Sequence, residues 1–216
     1  MNPLLGIASP RDIPEFKEHI DKLRVDKLWL KYQRELEAYT KMRDYFLKHK
    51  QYTHLIPVPD DLLVKQYDLT RLLTAIRRRD YPVISGICNI DSTPENKGKY
   101  NICDVRHLPH VEPHLRQYVW MSTRSKLIRK GQPFRVSFMG FALVAIRRDI
   151  VEKIPFRNDG YCCLDTMFCW DCHQAKIPIY VDPKINMFHM KISDGNYQNY
   201  GVDTKKAITY LEKVKR

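Results

Sequence analysis

Two adjacent carboxylates, Asp60 and Asp61, close the apolar run in residues 53–64 (Thr-His-Leu-Ile-Pro-Val-Pro-Asp-Asp-Leu-Leu-Val), and the chain then turns apolar again. The pattern predicts a buried strand with acids at its end. In an open α/β sheet ligands collect outside the carboxyl ends of the strands, so acids placed there can serve a bound molecule or a metal. A Pro-Asp-Asp turn whose carboxylates only cap backbone amides is the other reading. Two single residues raise similar choices. Asp165 heads an expected helix, where backbone amides and the helix dipole also welcome a carboxylate. His189 follows the apolar run Ile185-Asn186-Met187-Phe188, where a histidine is either a ligand or an ordinary packing residue.

These residues need a scaffold, and the first ninety residues predict one. Residues 4–8 read as a strand, and residues 28–32 as a second. Between them, Ile13, Phe16, Ile20 and Leu23 form one helical face, with Asp12 and Glu15 at capping-box spacing. A helix over residues 34–48 buries Leu36, Tyr39, Met42, Phe46 and Leu47. The run ending in Asp60-Asp61 is the third strand, Leu69 to Ile76 mark a third helix, and residues 81–88 are the fourth strand. Strand and helix alternate across short connections, which predicts a parallel sheet covered by helices.

Beyond residue 90 the pattern loosens. Residues 100–105 and 117–122 read as strands, residues 138–146 as a firm apolar segment, and residues 147–154 as a short helix. A helix from Asp165 towards Lys176 and short strands at residues 179–181 and 185–188 follow. The tail, residues 201–216, reads as a basic amphipathic helix with Ile208, Leu211 and Val214 on one side.

Composition narrows the partners. The 216 residues suffice for one large domain or two small ones, and 44% hydrophobic content with 11% aromatics argues against disorder. The net charge of +12 favours an anionic partner: a nucleotide, a nucleic acid, a phosphorylated lipid or an acidic membrane face. No spanning helix and no secretion signal is read, so a cytoplasmic protein with reduced cysteines is expected. Neither G-x-G-x-x-G after the first strand nor G-x-x-x-x-G-K-[ST] occurs, which removes the two commonest phosphate-loop signatures.

The order of features resembles the nucleotide-sugar glycosyltransferases of the GT-A type, particularly the large family 2. That resemblance rests on Pro59-Asp60-Asp61 at the place of an Asp-x-Asp motif, and on Val83-Ile84-Ser85-Gly86 as a strand ending in Ser-Gly. It continues with the segment from Met139-Gly140-Phe141 to Arg147-Arg148, with Leu164-Asp165 opening a helix, and with Ile185 to His189 closing a strand in His. Compact transferases encoded by thermophile viruses are similar in size, which for a viral chain would mean the host cytoplasm. Pro59 replaces the first Asp of the motif, and Leu164-Asp165 supplies one acid where the family often has two.

The resemblance implies a GT-A, Rossmann-like, mostly parallel central sheet with helices on both faces and a small acceptor-side subregion. Residues 1–200 would form one domain, with residues 1–90 as the nucleotide-binding half and 91–200 as the acceptor half. A UDP- or GDP-sugar donor would meet a glycan, protein or lipid acceptor. The leaving diphosphate calls for Mn²⁺ or Mg²⁺, hard cations held by carboxylates and phosphate oxygens. Asp61 is the expected metal ligand, Asp60 a second contact to metal, ribose or sugar, and His189 a further ligand or diphosphate contact. Asp165 would be the base that takes the acceptor proton, giving inversion by analogy with inverting glycosidases. Ser9, Arg11 and Tyr32 stand where the family binds base and ribose. The alternative is a non-catalytic nucleotide- or nucleic-acid-binding α/β protein.

Three motifs point elsewhere. Cys169-Trp170-Asp171-Cys172-His173 matches the c-type haem pattern, but thiols three apart share a helix face and are expected to pack in the core or line the acceptor side. His107, His110 and His114 sit among prolines, which favours a loop over a metal centre. Arg77-Arg78-Arg79 and the basic tail carry no nucleic-acid-binding motif. They read as a solvated face, or one that approaches anionic lipid, so no specific nucleic acid is expected.

Overall fold

A computed structural model describes residues 1–90, 97–104, 120–122, 124–158, 160, 163–190 and 207–214. Its first half follows the alternation in the sequence: β1 (Pro3–Ser9), α1 (Pro14–Asp21), β2 (Asp26–Lys31), α2 (Glu35–Lys48), β3 (His54–Pro59), the two-residue β4 (Leu62–Leu63), α3 (Gln66–Arg78) and β5 (Val83–Cys88). The second half contributes β6 (Lys99–Asp104), β7 (Trp120–Ser122), α4 (Lys126–Lys130), β8 (Phe134–Met139), β9 (Ala145–Arg147), α5 (Arg148–Lys153), α6 (Leu164–Gln174), β10 (Ile179–His189) and β11 (Ile208–Glu212).

The strands form one mixed sheet in the order β11-β2-β1-β3-β9-β5-β10-β8-β6-β7, with β4 pairing the end of β10. Period-two alternation splits each strand between two apolar layers. Leu4, Leu28 and Leu55 face the helices α2, α5 and α6, while Leu5, Trp29 and Ile56 face α1 and α3. Helices therefore cover both faces, an arrangement compatible with a Rossmann-like fold.

The expectation of a mostly parallel sheet is corrected. Three strand pairings are parallel (β1 with β2, β1 with β3, β5 with β10) and seven are antiparallel. β9 runs antiparallel between β3 and β5, and β8, β6 and β7 extend the sheet antiparallel from β10. A strand buried on both faces reads as a continuous apolar run whichever way it points. The segment 138–146 therefore looked uniform, yet it is the end of β8, a turn, and β9.

The tail is corrected too: residues 208–212 are β11, not a helix. The three-residue spacing of Ile208, Leu211 and Val214 suggested a helix, but Ile-Thr-Tyr suits a pleated surface and the edge of β2 offers unpaired backbone groups. Tyr210 stacks on Trp29 with ring centroids 6.0 Å apart. Glu212 accepts from Lys27 Nζ at 2.7 Å and from Trp29 Nε1 at 3.1 Å. The Lys27 side chain is only 3% exposed, so removing Glu212 strands a buried ammonium. Glu212→Ala is expected to cost about 2 kcal/mol in urea unfolding, and Glu212→Gln less, because it keeps an acceptor for both donors.

Asp12 does not cap α1, whose N-cap is Ile13 without a side-chain bond. Its carboxylate is taken by Lys31 Nζ at 2.6 Å and by the Tyr32 hydroxyl.

Candidate functional site

The turn at Asp60-Asp61 is held by β4. Leu62 and Leu63 pair antiparallel with His189 and Phe188, and Met190 N donates to Asp61 O at 2.7 Å. This pairing sets the end of β10 beside the turn, so His189 Nε2 lies 3.3 Å from Asp61 Oδ2 and His189 Nδ1 3.3 Å from Asn89 O. Glycine at position 86 is required upstream. A Cβ there would stand 2.6–2.8 Å from Ile185 Cγ2, Met187 Cε and Ile185 O. Opposite it β10 is irregular, taking five steps from Val181 to Asn186 against two along β5 from Ser85 to Ile87.

Asp61 and His189 line a cavity of about 420 Å³ whose other walls include Glu35, Tyr39, Gly140, Cys163 and Asp165. It opens where β3, β5 and β10 end, the location expected for ligands in an open α/β sheet. Asp165, the second residue of α6, accepts from Thr166 N and from the Cys163 thiol, both at 2.7 Å on Oδ1. Burial raises its carboxyl above the usual aspartate range, opposed by those hydrogen bonds. Cys163 is exposed as a residue, but its thiol, partly desolvated in the cavity wall and facing Asp165, is pushed up to about 11 and so stays a donor at neutral pH.

Gly140 leaves room for this carboxylate. A Cβ at 140 would lie 2.9 Å from Asn101 Nδ2 and 3.4 Å from Asp165 Oδ2. The Asn101 amide is not free to withdraw, since Oδ1 accepts from Cys88 N at 2.9 Å and Nδ2 donates to Gly140 O at 3.2 Å. Gly140→Ala is expected to lower stability by about 1–3 kcal/mol in urea unfolding through this crowding.

The neighbouring acids part company. Asp61 lines the cavity, whereas Asp60 is 2% exposed and is held by Arg11 through the backbone N and Nε, each at 3.2 Å, and a short Nη2 contact. Burial raises the Asp60 carboxyl while Arg11 pulls it back. Ser9 Oγ donates to Arg11 O at 2.8 Å, and Tyr32 takes a left-handed backbone with φ 57° after β2. Ser9, Arg11, Tyr32 and Asp60 are therefore tied to the ends of β1, β2 and β3 but do not line the larger cavity. Ser9 borders a smaller hollow of about 190 Å³ with Asp12, Phe16 and Trp29.

Glu35 was not foreseen. It opens α2, and its carboxyl is raised by burial and then by the charges of Asp165 and Asp61. Its signal in the sequence is its place one turn before Tyr39, on the edge of the buried stripe. Tyr39 stacks on Phe141 at 5.5 Å and meets Phe156 edge-on, forming an aromatic wall. Among the described residues that line the cavity there are three carboxyl groups and one imidazole, and no lysine or arginine, in a chain whose net charge is +12. Asp61 and His189 are a carboxylate and an imidazole 3.3 Å apart, and among the described residues no group of three or more His, Cys, Asp or Glu assembles that could hold a metal.

The C-x-x-C-H thiols are core residues. Cys169 and Cys172 are 1% and 0% exposed, Cys169 Sγ lies 3.5 Å from Met139 N and O, and burial raises both thiols. His107, His110 and His114 lie outside the described residues. Among those described, no helix is long and apolar enough to cross a membrane.

No family model matches the chain, and no curated protein sequence matches it. Among solved structures it is similar to A197 from STIV, with a TM-score of 0.56 and 16% identity over 88% of this chain and 95% of that one. S. aureus TarS 1–349 is matched with a TM-score of 0.45 and 12% identity, covering 90% of this chain and 62% of that one. The chain thus shares its fold with A197 from STIV.

Proposed function

We propose that this protein is a metal-dependent glycosyltransferase that moves one sugar from a UDP- or GDP-linked donor to a hydroxyl acceptor with inversion. The observation that carries the reading is the acidic cavity at the strand ends of a basic chain. A diphosphate could enter walls bearing Glu35, Asp61 and Asp165 only with a cation to offset the repulsion. The order of Asp61, Asp165 and His189 along the chain adds the resemblance to GT-A transferases.

Asp61 and His189 would hold the cation, with the remaining ligands coming from donor phosphates and water. Mn²⁺ or Mg²⁺ supplies charge neutralisation for the departing diphosphate. Asp165 accepts the proton of the acceptor hydroxyl as that oxygen bonds to the anomeric carbon and the bond from carbon to diphosphate oxygen breaks. A raised carboxyl suits that task, being a stronger base than an exposed aspartate. Cys163 and Thr166 hold the carboxylate in place.

Calorimetry with UDP and GDP tests the binding half. Nucleotide should show on wild type a Mn²⁺-dependent site that chelator abolishes and that is at least about tenfold weaker in Asp61→Ala. Equal binding without the cation, and to the variant, would favour a nucleotide-binding protein that lacks the chemistry.

A further inference from the structure

A second cavity, of about 370 Å³, lies on the other side of the sheet from α6, beside the C-terminal half of α3 and the first residues of β5 and β10. Because β5 and β10 are parallel, it sits near their amino ends while the acidic cavity sits at their carboxyl ends. Its walls are basic: Arg71, Arg78 and Arg79 with Tyr81, Gln132 and a single carboxylate, Asp182.

Local structure builds this wall. α3 brings Arg71 and Arg78 to one side, seven residues and so two turns apart. Gly131, in the left-handed conformation at φ +62°, ends α4 and turns Gln132 and Pro133 into the cavity. Asp182, in the irregular stretch of β10 opposite Gly86, lines the cavity. That carboxylate, 2% exposed, accepts from Lys184 N at 3.0 Å and from Arg71 Nη2 at 3.2 Å.

The charges do not balance. Arg71 commits its guanidinium to Asp182, with Nη2 3.2 Å from Oδ1 and Nε 3.0 Å from Oδ2. The side chains of Arg78 and Arg79 are exposed and have no ion pair among the described residues. The nearest acid in sequence, Asp80, is taken by Arg147 Nη1 at 2.6 Å. Three guanidinium groups thus face one carboxylate that Arg71 already engages. Guanidinium forks match phosphate oxygens two at a time, and the space is large enough for more than one phosphate group. We propose that this cavity is a binding site for a phosphate-bearing ligand, separate from the donor site and independent of it. A soluble polyphosphate and a lipid phosphate headgroup share the chemistry it recognises.

Inorganic pyrophosphate in chelator is the probe, since without a divalent cation the acidic cavity repels it. Calorimetry should show one site on wild type, weakened by salt and unchanged in Asp61→Asn. Arg78→Ala/Arg79→Ala, which alters exposed side chains only, should keep the melting temperature and lose at least about tenfold in affinity. Lys48→Ala/Lys50→Ala removes the same charge elsewhere and should bind as wild type. No pyrophosphate binding to wild type, or equal losses in the two double variants, overturns the proposal. In parallel, sedimentation with phosphatidylcholine vesicles containing phosphatidic acid separates the sources. Recruitment that pyrophosphate competes away assigns a lipid headgroup, and its absence assigns a soluble ligand.

Discussion

Asp165→Asn is expected to reduce sugar transfer by about 10²–10⁴-fold while leaving the chain folded and able to bind donor. The amide keeps the shape and the Oδ1 acceptor for Thr166 N and the Cys163 thiol, but it cannot take a proton. Rate against pH in wild type should rise along an acid limb lying above 3.8, the ordinary aspartate value, because burial holds this carboxyl higher. Stability should move the opposite way. The unfolded chain releases the proton at the lower pH and the folded chain at the higher. Stability therefore falls as pH rises between the two, and the ionised form remains a cost at neutral pH. Asp165→Asn removes that cost, so at pH 7 it should melt at or above wild type, with the advantage gone below the ordinary aspartate range. Nucleoside diphosphate release and thermal unfolding measure the two halves. A loss of activity accompanied by a lower melting point would mean that Asp165 serves the fold.

The two neighbouring acids should fail in different ways. Asp60→Ala leaves the Arg11 guanidinium, itself only 15% exposed, and the Arg11 backbone N–H without their acceptor. Breaking a pair this deep costs about 3–5 kcal/mol. Asp61 is a quarter exposed and its carboxylate meets His189 at 3.3 Å, so Asp61→Ala should cost less than about 1 kcal/mol. Its expected loss is in cation-dependent nucleotide binding. Urea unfolding and calorimetry on both variants separate the roles, and a destabilised Asp61→Ala beside a stable Asp60→Ala would contradict this assignment.

That division was hidden in the sequence. Asp60 and Asp61 are equivalent as letters; only the approach of Arg11 from the β1–α1 connection and the pairing of β4 with β10 tells them apart, and both are long-range contacts. The elements of the first ninety residues were legible because short connections join periodic segments whose local signals agree with the tertiary structure. Strand direction was not, since burial on both faces erases the alternation that would mark an antiparallel strand, as at the interior strand β9. The tail misled for a related reason. Its residues suit either period, and the open edge of β2 decided between them. Glu35 carried almost no mark of its own, because an acid in the first turn of a helix is ordinary. Its place beside Asp61 and Asp165 comes from the packing of α2 on the sheet. Asp61 was legible as a candidate, as were Asp165 and His189 more than a hundred residues later, and all three line the same 420 Å³ hollow.

The most direct test is release of nucleoside diphosphate across a panel of UDP- and GDP-sugars with Mn²⁺ or Mg²⁺, comparing wild type with Asp61→Ala and Asp165→Asn. The account predicts that wild type turns over at least one donor, that Asp165→Asn slows it by about 10²-fold or more, and that Asp61→Ala loses at least about tenfold. Turnover by Asp165→Asn at the wild-type rate, or no donor bound or turned over by wild type with metal present, would contradict it.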